Sequence, residues 1–134
     1  MPWQISPYAI PVALSGLLAF AVAQVLWRRR GRPGALASML IMVGAGIWSL
    51  GHALELSTDD LSWKIFLSKV QYLGIVLPAP AWWVFALRVN GRRCDRAAIA
   101  FLATMSALVV AFVWLNGWHG LIWTKVELDP AHPY

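Results

Sequence analysis

Charge is what this sequence has least of. Asp, Glu, Lys and Arg together make up 13% of its 134 residues, where a soluble domain carries about 25%. That shortfall excludes an ordinary water-facing surface over most of the chain. Cysteine is nearly absent as well. Cys94 alone cannot close an internal disulfide, and no metal partners accompany it. No Gly-rich phosphate loop, HExxH pattern, Ser/His/Asp order or spaced carboxylate pair is present, so the common catalytic arrangements have no footing. The adjacent Asp59 and Asp60 read as helix caps. The first apolar run is not expected to be a cleaved leader: no basic residue precedes it, and its charges follow it.

What the chain does have is apolar length. Hydrophobic residues make up 60% of it, and nine residues are Trp. Segments 8–27, 35–54, 70–87 and 97–115 contain no Asp, Glu, Lys or Arg, and each is 18–20 residues long. At about 1.5 Å per residue, each crosses a hydrocarbon core of about 30 Å. The segments lack the polar stripe of a helix that faces water on one side. The expected fold is therefore all-α: a polytopic membrane bundle of four transmembrane helices, over about 8–30, 35–56, 61–89 and 96–115, followed by a polar segment over 116–134.

The net charge of +5 is unevenly placed. All eight arginines fall in two loops, Arg28, Arg29, Arg30 and Arg32 in one, and Arg88, Arg92, Arg93 and Arg96 in the other. The intervening connection carries Glu55, Asp59 and Asp60. This is the positive-inside pattern. It predicts cytoplasmic arginine loops, an outside N-terminus and an extracellular tail. Arginines split this way fit acidic lipid headgroups, so the bilayer is the expected partner and nucleic acid is not.

Within the second span, Gly44, Gly46 and Gly51, with a row Ala45, Ser49 and Ala53, suggest close helix approach. "STDD" supplies caps for the third helix, which at 61–89 exceeds what a bilayer needs and should kink at Pro78 and Pro80. "LIWTKVEL" near the end alternates enough to allow a short hairpin or a segment lying on the surface.

Polar residues gather at the outer ends of the second and third helices. Trp48, His52 and Glu55 follow one another at i, i+4 and i+7, on one helical face. Lys69, Gln71 and Tyr72 lie at similar depth on the third helix. An ionisable residue inside a span needs a partner or water. A Glu55–Lys69 ion pair is expected, with snorkelling of Lys69 to the headgroups as the alternative. Trp3, Trp63, Trp118 and Trp123 fit an outer aromatic belt and Trp27 an inner one. His52 and Glu55 could begin a metal site with His119 and His132, but no ligand pattern completes it. No metal and no cofactor is expected.

Three stretches carry a family resemblance. "IWSLGHALELSTDD" holds Trp48 and Glu55. "KVQYLGIVLPAPAWWVFAL" holds Lys69, Gln71, Tyr72, Pro78, Trp82 and Phe85. "NGWHGLIW" holds Asn116, His119 and Trp123. In this order they resemble the N-terminal seven-transmembrane sensor region of bacterial and archaeal histidine kinases. The resemblance implies a multi-pass plasma-membrane sensory input module, a homodimer in its full-length form, acting through a cytoplasmic kinase or cyclase. It also implies three further spans, so the chain is expected to be a fragment without catalytic modules of its own. The candidate ligand-binding residues are Trp48, His52, Glu55, Lys69, Gln71, Tyr72, Asn116, His119 and Trp123; the signal is a small molecule or a membrane property. A small transporter or channel subunit, or a structural subunit of a membrane complex, is the alternative. Transport would call for polar residues deeper in the membrane.

Overall fold

The computed structural model of the chain describes residues 6–124 and 126. Its elements in order are α1 (Ala9–Arg28), α2 (Ala35–Glu55), α3 (Leu61–Val76), α4 (Pro78–Val89), α5 (Arg96–Trp114) and the short α6 (Asn116–His119). With α3 and α4 taken as one span, four helices among the described residues are long and apolar enough to cross a membrane. Among the described residues there is no β-strand, so the alternation in "LIWTKVEL" does not produce one there. Trp3 and His132 lie outside the described residues, as do 125 and 127–134 of the tail.

Local chemistry sets the helix boundaries. Gly34 precedes α2 with φ +79°, a conformation that side chains with a Cβ rarely adopt. A Cβ there would also meet the side chains of Phe85 and Val89 on α4. Asp60 caps α3, accepting from the Ser62 and Trp63 amides at 2.8 and 3.2 Å. Asp95 caps α5, accepting from the Ala97 amide at 3.1 Å.

The expected kink in the third span is a break at Leu77. Pro78 and Pro80 have no N–H, so the carbonyls of Gly74 and Val76 lose their partners four residues on. The Ser106 hydroxyl of α5 donates to the Val76 carbonyl at 3.3 Å and replaces one of them. Pro78 and Pro80 then sit in the first turn of α4, where a missing N–H costs least.

Helix α2 is the hub, packing against α1, α3 and α4, while α5 packs on α3 and α4 and α1 touches only α2. The buried positions recur every seven residues: Ala9, Gly16 and Ala23 on α1, and Ala37, Gly44 and Gly51 on α2. The row Ala45, Ser49 and Ala53 is not the main seam; of the three, only Ala53 is buried. A seven-residue repeat keeps one stripe of a helix against a straight neighbour over two turns. Small side chains on that stripe let backbones approach, which drives association where lipid removes the hydrophobic contribution. The closest approach is Gly44 against Gly74: a Cβ on Gly44 would lie 2.6 Å from the Gly74 carbonyl oxygen. Leu14, Leu17 and Leu18 of α1, and Phe101, Leu108 and Phe112 of α5, stay exposed. Large apolar residues outside and small ones inside is the arrangement lipid permits.

Candidate functional site

The acidic-loop end of the helices assembles most of the polar residues singled out from the sequence. Glu55, in the last turn of α2, accepts from Gln71 Nε2 at 2.6 Å and from Ser68 Oγ at 3.3 Å. His52 Nδ1 lies 3.6 Å from the same carboxylate. Gln71 is buried, while the Glu55 side chain keeps 26% of its surface and His52 45%. The carboxylate is thus held on its inner side by a buried amide and reached from outside past an imidazole.

Lys69 does not pair with Glu55. Its ammonium donates instead to the carbonyl of Trp114, at 3.3 Å. Helix geometry explains the correction: two residues along α3 are about 200° apart around its axis. Gln71 belongs to the stripe Leu67, Gln71 and Gly74 that is buried against α2. Lys69 therefore faces α5, where it caps the Trp114 carbonyl and meets the negative end of the helix dipole. Phe66, one turn away, adds an edge contact to the Trp114 ring with centroids 6.2 Å apart.

The segment after α5 folds back over this end. Asn116 is buried and acts as a clamp. Its Oδ1 accepts from the Ile122 and Trp123 amides at 2.9 and 3.2 Å, and its Nδ2 donates to the Trp123 carbonyl at 3.1 Å. The clamp places the Trp123 ring edge-on to Tyr72, centroids 6.0 Å apart. His119 Nδ1 accepts from the Leu121 amide at 3.0 Å, so its Nε2, 2.9 Å from the Phe112 carbonyl, is the protonated nitrogen. Both ring nitrogens are thereby used in holding the loop. Trp48 stands apart: its backbone packs against Gly74, and half of its surface is exposed.

Ser68 was missed in the sequence; its position three residues before Gln71, on the same face, is the signal that could have found it. Among the described residues no group of three His, Cys, Asp or Glu could hold a metal ion. A separate cavity of about 780 Å³ opens at the opposite, arginine-rich end, between α2, α4 and α5.

Residues 11–134 match the family described as the N-terminal 7TM region of histidine kinase. No curated protein and no solved structure shows significant similarity to the chain.

Proposed function

Since the chain belongs to the family formed by the N-terminal 7TM region of histidine kinases, we propose that it is the membrane-embedded input module of a signal-transduction receptor. Its sensing surface is the Glu55–Gln71–Ser68 cluster with His52, beside the loop that Asn116 and His119 hold and that meets Tyr72 through Trp123. The observation that carries the reading is a carboxylate at the end of a span, gripped on one side by a buried amide and open on the other. A carboxylate at the membrane boundary needs a partner or water, and ligand sites use a few oriented polar groups in apolar surroundings. In this reading the arginine loops face the cytoplasm and the full-length protein is a homodimer that drives a kinase or cyclase.

The test uses the full-length receptor. Glu55→Gln, His52→Ala and Tyr72→Phe are expected to change the signal response while membrane insertion and abundance stay at parental levels. A parental response from all three, or a loss that tracks abundance, would refute the sensing surface. Orientation is tested separately. In intact cells an impermeant thiol reagent should label Gly117→Cys in a Cys94→Ser background and leave Cys94 of the parent unlabelled.

A further inference from the structure

The cavity at the arginine-rich end combines three features. Its floor is apolar and partly open, formed by residues such as Leu40 of α2 and Ala103 of α5, both exposed, and Val84 of α4 and Ile99 of α5, both half-buried. Its mouth carries five arginines that come from two separate loop regions: Arg30 and Arg32 after α1, and Arg88, Arg92 and Arg93 around the end of α4. Its deep end reaches Val76, Leu77 and Ser106, where the third span breaks.

The residues lining the mouth carry charge of one sign. Among the described residues no Asp or Glu lines the cavity. Among the described residues none of the five guanidinium groups pairs with a carboxylate, although Arg30 stacks over the Trp27 ring at 4.7 Å. Same-sign charges gathered at one rim raise the potential there and draw an anion. A guanidinium fork matches a phosphate diester with two parallel N–H···O bonds. The volume of about 780 Å³ lies within the roughly 300–1,000 Å³ that holds one small ligand. A free inorganic anion would fill the mouth and leave the apolar floor empty. A neutral lipid would fill the floor and leave the arginines unpaired. Basic pockets between transmembrane helices at one membrane face are known binders of acidic lipid headgroups.

We propose that this cavity binds one anionic phospholipid of the adjacent leaflet. The phosphate sits among Arg88, Arg92 and the arginines of the first loop. An acyl chain runs between α4 and α5 and ends against Leu77 and Ser106. Because the chain terminus abuts the break, lipid occupancy bears directly on the angle between α3 and α4.

The experiment uses the full-length protein in mixed micelles, with phosphatidylglycerol and phosphatidylcholine of identical chains, read by native mass spectrometry. Retention of one phosphatidylglycerol in preference to phosphatidylcholine is expected. Each arginine near a charged surface contributes about fivefold, so Arg88→Gln with Arg92→Gln should weaken retention by about 25-fold, and Lys at both positions should weaken it less. Ala103→Trp, which fills the floor and leaves every arginine in place, should also abolish retention. A diazirine-bearing aliphatic residue at position 103 should crosslink to an acidic phospholipid. Crosslinking to another segment of the same chain, to a second copy or only to zwitterionic lipid overturns the proposal. So does equal retention of the two lipids, or parental retention by Ala103→Trp. The crosslink and Ala103→Trp decide the matter even if the double arginine variant fails to accumulate.

Discussion

Removing Gln71 tests how the outer cluster is built. Gln71→Met takes away the shortest contact to Glu55, the 2.6 Å bond from Nε2. Methionine suits the site because Gly51 lies over the Gln71 Cγ: a Cβ on Gly51 would come within 2.6 Å of it. A side chain branched at that carbon would clash and confound the result. The variant leaves a carboxylate that is three-quarters covered, with Ser68 and the distant His52 as its remaining partners. Hydrogen bonds to a charged group contribute about 1.5–3 kcal/mol, whereas interhelical bonds in membranes average about 0.6 and reach about 1.7. The cover and the charge place this bond at the upper end of the membrane range. A double-mutant cycle of Glu55→Met and Gln71→Met, followed by reversible unfolding in mixed micelles, should therefore give a coupling of about 1–1.7 kcal/mol. The matching cycle of Glu55 with Lys69 should give close to zero, since Lys69 caps α5 instead. A Glu55–Gln71 coupling below about 0.3 kcal/mol, within ordinary additivity, or a Glu55–Lys69 coupling of equal size, would refute this reasoning.

Other substitutions probe the packing. Gly74→Ala should cost about 1–3 kcal/mol in the same unfolding assay, because its Cβ meets the Gly44 carbonyl and the Trp48 amide. Gly117→Ala, with open space around it, should stay within about 0.5 kcal/mol. Ser106→Ala should cost about 0.5–1.5 kcal/mol by freeing the Val76 carbonyl. The same change should cost almost nothing in a Pro80→Ala background, where residue 80 regains the N–H that pairs with that carbonyl. Asn116→Ala should speed hydrogen exchange at the Ile122 and Trp123 amides, by about fivefold for each bond of about 1 kcal/mol lost; unchanged exchange would show that the clamp does not hold the loop.

The four spans were legible in the sequence, because crossing a bilayer is a demand on composition and length alone. Uninterrupted apolar runs of 18–20 residues meet it wherever they fall. The break in the third span was equally local: Pro78 and Pro80 withdraw their N–H groups whatever packs beside them. The partners of Glu55 were not legible in this way. Depth put Lys69 and Gln71 both within its reach, and charge favoured Lys69. The choice was made by which side of α3 turns towards α2, and the Gly44–Gly74 contact sets that rotation. Until two backbones meet there, neither sequence says which stripe faces inward. The arginine-lined cavity has the same origin. Its walls come from α2, α4 and α5 and its rim from two loops separated by the second span, the acidic turn and the third span. Only the packing of α4 on α2 and α5 brings those two loops to one mouth.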